Sequence, residues 1–311
     1  MPMLKLEPSF KDYIWGGNKL ITKFNKNYQG ERLAESWELS VHPDGLSVIA
    51  GRAGKSLREY LERAGEKALG KNCERFNEFP VLIKLIDAKQ DLSVQVHPDD
   101  AYALKNENQY GKSEMWYVVE CEPDSYLYYG FAKSISPGEF CERIESGTLM
   151  EVLNKVPAEK GGVFFIEAGT IHTIGAGVLL VEIQQNSNVT YRVYDYGRTD
   201  KDGNQRELHV EKALDVTDTG PAASKSAVPH LAKCEHFTVD KLYLDGRIVR
   251  ELRGEVNELS FLSIVVLEGG GGIRCAGESM EFKKGDSFFI TAGSGEYTIT
   301  GTCEALATYV G

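Results

Sequence analysis

The sequence has no uninterrupted apolar run approaching the ~20 residues needed to cross a bilayer. Its first residues, MPMLKLEPSF, lack the charged-then-apolar plan of a secretory signal. The six cysteines, Cys73, Cys121, Cys141, Cys234, Cys275 and Cys303, are scattered and form no CxxC pair. In so large a chain that scatter reads as reduced thiols in a cytoplasm. Positive charge is also short, with 35 Lys and Arg against 46 Asp and Glu and a net charge of −11. Such a balance argues against nucleic acid or an anionic membrane as partner. Any anionic substrate must be met by locally placed Lys or Arg.

What the chain does have is glycine, 32 residues of it, set between short β-rich runs. At 311 residues and 42% apolar content it is long enough for about two domains and can bury most of its apolar surface without staples. Strands are predicted at 81–86, 92–96, 115–119, 162–166, 178–184, 190–194, 259–267, 287–291 and 305–310. Helices are predicted at 57–67 with Ser56 as N-cap, at 99–108 after Pro98, and within 137–155.

An internal repeat organises these elements. Residues 161–177, GGVFFIEAGTIHTIGAG, align without gaps on 285–301, GDSFFITAGSGEYTITG, at an offset of 124. A weaker match sets YVVECEPD, from Tyr117, beside IVVLEGGG, from Ile264, at an offset of 147. The difference of 23 residues fits an insertion in the first copy, the helical stretch after Gly130. Two copies of a strand–Gly turn–strand unit predict a mainly β protein of two similar barrels in tandem. The expected division is 1–220, a connection at 221–234 rich in Pro, Ala and Ser, and 235–311. His172 aligns with Glu296 and no histidine follows His236, so the second barrel is expected to lack metal ligands.

The first copy holds a candidate constellation. In LSVQVH, strand alternation places Ser93, Gln95 and His97 on one face. Glu114 opens the next predicted strand, and His172 lies in a Gly-rich turn. A barrel can gather these into two imidazoles, one carboxylate and one amide oxygen. Such N/O ligation suits Zn²⁺, with Mn²⁺, Fe²⁺ or Co²⁺ as rivals, because no thiolate is on offer. The alternative is structural: His97 caps a strand and His172 fills a turn. His42 lacks a paired Gln and reads as structural, and His209, His230 and His236 lie in polar connecting sequence.

Four segments, FPVLIKLIDAKQDLSVQVHPDD (79–100), GKSEMWYV (111–118), GTIHTIGAG (169–177) and VEIQQNSNVTYRVYDYGR (181–198), resemble type I mannose-6-phosphate isomerases. IWGG at 14–17 and ESWELSVHPDG at 35–45 add to the likeness, which is greatest to the short bacterial form and covers most of residues 1–215. The resemblance implies cupin-type (jelly-roll) barrels with a few helices inserted in the N-terminal part. It implies a zinc-dependent aldose–ketose isomerase acting on a hexose phosphate, with a monomer or homodimer expected. It places zinc on Gln95, His97, Glu114 and His172, the four that the spacing proposes. Ser93, Lys84, Lys112, Glu182 and Arg192 are implied around the ion, Arg192 in a catalytic role. The chain is too short for the helical insertion of the larger members.

Interconverting mannose 6-phosphate and fructose 6-phosphate moves a proton between C2 and C1 through an enediol. A Lewis-acidic ion near O1 and O2 would stabilise the developing charge by several kcal/mol, and a positioned base could add ~10²–10⁴-fold. Glu182 is a candidate base; a carboxylate bonded to Arg192 and a bound water as the base are the alternatives. Lys84, Lys112 and Arg192 supply the local positive charge that a sugar phosphate requires. The rivals are an iron cupin dioxygenase, whose usual His-x-His pair is broken here by Gln95, and a non-catalytic sugar-binding cupin, in which the ligand set would be degraded.

Overall fold

The computed structural model describes residues 2–52, 54–199, 203–223 and 226–311. Among these, strands outweigh helices and assemble into three sheets. Every strand expected from the sequence is present, most with ends moved by a few residues, among them Val81–Ala88, Glu114–Cys121, Val178–Gln185 and Ser287–Ile290, but the strands expected at 259–267 and 305–310 are much longer, Leu262–Cys275 and Gly295–Tyr309. Helix Leu57–Ala64 starts at Ser56, whose hydroxyl accepts from Glu59 N while the Glu59 carboxylate accepts from Ser56 N. Asp99 caps helix Asp100–Asn106. The 137–155 region holds helix Pro137–Glu145 and a single 3-10 turn, then passes into strand Leu153–Pro157.

The first sheet runs Val163–Ile166, Glu114–Cys121, Val178–Gln185, Val81–Ala88, Glu35–Leu39 and Ser9–Lys11. Alternate residues divide between its two buried faces. Val81, Ile83, Met115, Tyr117 and Val181 enter one core; Ile86, Trp116, Val118 and Leu180 enter another. The second sheet, Tyr191–Tyr194, Val94–Val96, His172–Ile174, Tyr126–Phe131 and Leu153–Pro157, packs on that latter face through Leu127 and Ile174. Phe140 of helix Pro137–Glu145 and Ala213 of helix Val210–Val216 close its outer side.

The third sheet comes mainly from the C-terminal segment. It covers the other face of the first sheet through Phe261, Val265, Phe289 and Leu306. It also takes in Met3–Glu7, paired with Ser287–Ile290, and Val48–Ile49. At this seam Lys26 and Glu38 form a buried ion pair at 2.6 Å, and the hydroxyls of Ser36 and Ser287 donate to the same carboxylate. The expected connection at 221–234 includes Ser224 and Lys225, which lie outside the described residues; Ala232–Lys233 within it pairs with Thr238–Leu244.

Sheet register supports the repeat and corrects its details. Val163 lies opposite Tyr117, and Ser287 lies opposite Val265. Tyr117 therefore corresponds to Val265, one residue beyond the weak match. A one-residue slip exchanges faces in a strand, and burial agrees, because Tyr117 and Val265 share the inter-sheet core whereas Ile264 enters the third sheet's own core. Glu296 is exposed, and its neighbour Tyr297 points inward among apolar side chains. His172 lies not in a turn but at the head of strand His172–Ile174. The turns fall instead at Gly169 and Gly177, with φ 88° and 85°.

Candidate metal centre

Two rows of side chains meet between the first and second sheets. In the first, Glu182 lies opposite Lys84 on one side and Trp116 on the other; Trp37 follows Lys84, and Gln184 lies opposite Glu114. In the second, Gln95 lies opposite His172 on one side and Arg192 on the other. The two-residue period brings Ser93 and His97 to the side of Gln95. Backbone bonds tie the segments together: Gly169 N donates to His97 O at 2.8 Å, and Lys112 N donates to Pro98 O at 3.0 Å. Gly111 approaches so closely that a Cβ there would meet the Asp99 carbonyl carbon at 2.4 Å.

Ligand atoms of His97, Glu114 and His172 lie within 4.8 Å of one another, all three buried. Among the described residues no other group of three His, Cys, Asp or Glu side chains converges in this way. His97 Nδ1 donates to Val189 O at 2.9 Å and His172 Nδ1 to Thr170 O at 2.8 Å. These bonds set the tautomers and turn each Nε2 lone pair toward the Glu114 carboxylate, at 3.7 and 3.5 Å, with His97 Nε2 accepting from the Lys112 ammonium at 3.1 Å. The Gln95 amide ends 3.3 Å from His172 Nε2. Burial, then the Lys112 ammonium, drives His97 well below the ordinary histidine pKa, and burial drives His172 down to about 4. Both are neutral donors at neutral pH.

Glu114 tests whether a cation fits. Burial and then Glu182 push its pKa up. The Lys112 ammonium pairs with Oε2 at 2.7 Å, whereas Oε1 is buried and receives no hydrogen bond. A buried carboxylate oxygen in that state calls for a partner. With two imidazole nitrogens and an amide beside it, a divalent ion of zinc type meets the requirement.

Glu182 lies beside this cluster. Its Oε1 pairs with Lys84 at 2.9 Å and with Lys112 at 3.7 Å, and its Oε2 accepts from Trp116 Nε1 at 3.2 Å. Burial opposes ionisation, but Lys112 and Lys84 outweigh it and hold Glu182 below the usual carboxylate range. Arg192 is not its partner. Arg192 Nε donates to Ser93 Oγ at 3.2 Å and Nη1 to Glu207 O at 3.0 Å. Gln95, His97, Glu114, His172, Lys84, Lys112 and Glu182 are thus brought together, with Ser93 and Arg192 joined at the end of the second row.

Sequence reasoning missed Trp116 and Gln184, although each lies two residues from a site carboxylate and so shares its face, and Trp37, which only strand register sets opposite Lys84. Lys84 sits 5.2 Å above the Trp37 ring, and Trp116 packs edge-on to His172 at 5.3 Å. Gln184 bonds through Nε2 to Gln185 O and Ser187 O, and its buried Oε1 receives no hydrogen bond. His42 Nδ1 accepts from Asp44 N at 3.2 Å, as befits a structural residue. His209 is closer to the site than its polar surroundings suggest, with Nδ1 accepting from Arg192 N at 3.3 Å.

The family model for the phosphomannose isomerase type I catalytic domain matches residues 3–119, and that for the mannose-6-phosphate isomerase cupin domain matches 228–310. Mannose-6-phosphate isomerase ManA of Bacillus subtilis is 36% identical over 320 residues, spanning 99% of this chain and 98% of its own. The mannose-6-phosphate isomerase of Streptococcus mutans is 33% identical over 98% of each chain. The crystal structure of the Bacillus subtilis mannose 6-phosphate isomerase superposes with a TM-score of 0.89 at 33% identity, covering 99% of both chains. With both isomerase family models matched, full-length relatives and a shared fold, this chain belongs to the type I mannose-6-phosphate isomerase family.

Proposed function

We propose that this chain interconverts mannose 6-phosphate and fructose 6-phosphate with Zn²⁺ as its metal. The observation that carries this reading is the buried cluster of His97, Glu114 and His172, in which Glu114 Oε1 receives no hydrogen bond and faces imidazole nitrogens whose tautomers suit coordination. Gln95, His97, Glu114 and His172 would hold the ion, which supplies a redox-inert Lewis acid for the oxygens on C1 and C2 of the sugar.

The chain's own groups move the proton and orient the substrate. Glu182, kept ionised by Lys112 and Lys84, takes the proton from one carbon and returns it to the next, a role worth ~10²–10⁴-fold. Lys84 and Trp116 fix its two oxygens and so its direction of approach. Lys112 offers positive charge where the substrate oxygens become negative. Arg192, braced on Ser93, is a planar clamp for the phosphorylated end. Trp37 and Trp116 are buried walls that exclude water.

In this reading residues 1–220 form the barrel that bears the site, 221–234 connect, and 235–311 form a second jelly-roll barrel without ligands. The six unpaired cysteines suit a reducing cytoplasm. Purified protein supplied with zinc is expected to convert mannose 6-phosphate to fructose 6-phosphate in a coupled assay. Zinc-loaded wild-type protein that turns over neither sugar contradicts the proposal.

A further inference from the structure

We infer that His236, in the C-terminal segment, is a positioning residue for Lys112 and Glu114 and acts through Gln185. The kinetic arm of the test below rests on the isomerase reading; the structural arm does not.

The backbone from Tyr110 to Ser113 belongs to no strand or helix, yet it must deliver two site residues. Two side-chain acceptors grip it, one on each side of Lys112. Gly111 N donates to Asp100 Oδ1 and Ser113 N donates to Gln185 Oε1, both at 2.7 Å. Gln185 is itself buried, and its amide nitrogen donates to Asp100 Oδ1 at 2.9 Å and meets His236 Nε2 at 3.1 Å. An amide whose oxygen is claimed by Ser113 and whose two hydrogens are claimed by Asp100 and His236 has one orientation available.

His236 is suited to this task. Its ring stacks on Phe76, with centroids 5.1 Å apart and planes 29° from parallel, so the accepting nitrogen is held still. Burial keeps its pKa below the ordinary histidine value, which preserves the lone pair that Gln185 needs. Without that acceptor, one amide hydrogen of Gln185 is stranded in a buried place. The side chain then gains by turning away from Ser113. The second barrel, which carries no metal ligands, thereby contributes to the site in the first.

The test compares His236→Phe, which keeps a stacking ring but accepts no bond, with His236→Gln, whose amide oxygen can accept it. In the full-length protein His236→Phe is expected to speed hydrogen exchange in the 109–116 segment. It should also lower kcat about fivefold to tenfold while KM stays within about twofold, and His236→Gln restores both. Should His236→Phe fail to fold, His236→Leu takes its place. Wild-type exchange and kcat in the acceptor-less variant, or equal damage in His236→Gln, overturn the inference. A wild type without turnover removes the isomerase reading, and the exchange measurement still decides on the clamp.

Discussion

Replacing Glu182 by Gln leaves size unchanged and removes one negative charge from a face that holds two buried lysines. Lys84, at 2.9 Å, loses its nearest counter-ion, while Lys112 keeps Glu114 at 2.7 Å. Removing one partner of a buried pair costs about 3–5 kcal/mol. The Trp37 face 5.2 Å from the Lys84 ammonium offsets part of this, so a loss of about 3 kcal/mol in unfolding free energy is expected. Catalysis should suffer more. Loss of a positioned base lowers the rate by ~10²–10⁴, which corresponds to about 3–5 kcal/mol of barrier. The assay is steady-state isomerisation under conditions where the variant is folded, with metal content measured alongside. The expected outcome is a kcat at least about 100-fold lower with unchanged bound zinc, since Glu182 is not a donor to the ion. A kcat within about tenfold of wild type, or activity lost only because metal is lost, refutes the assignment.

Other consequences concern the frame around the site. Lys26→Met strands the buried Glu38 carboxylate at the seam between the sheets and should cost about 3–5 kcal/mol in denaturant unfolding, most of it recovered when Glu38→Leu is added. Burial raises Asp87 from 3.8 to about 6, against the hydrogen bond from Lys19 N. The native state therefore holds this proton more tightly, and the associated stability, full below about pH 4, is lost as pH rises through 6. Asp87→Asn should gain about 3 kcal/mol relative to wild type between pH 4 and pH 7, and a pH-independent difference would count against this account. Gly111→Ala drives a Cβ into the Asp99 backbone at 2.4 Å; zinc should bind about tenfold to a hundredfold more weakly, measured by competition with a chelator.

Much of the site could be read from local pattern. Gln95 and His97 declare themselves by a two-residue period, whereas Lys84 and Glu182 enter through the resemblance alone. The latter pair meets directly across the sheet, which needs a register that neither strand states by itself. The same limit explains the repeat: similarity of letters aligned Tyr117 with Ile264, whereas face-to-face packing of the sheets requires Val265. By sequence alone His172 reads as a turn residue, because a three-residue strand flanked by glycines carries too little periodicity to register. The pairing of Met3–Glu7 with Ser287–Ile290 and the reach of His236 to Gln185 join residues far apart in the chain. No local signal in either segment announces its partner.

Metal occupancy read together with turnover tests the central claim most directly. Protein stripped by a chelator should be inactive, regain isomerisation in step with zinc up to one ion per chain, and fail to do so when His172 is replaced by Ala. Stripped protein that still turns over, or His172→Ala that takes up zinc with wild-type affinity, contradicts it.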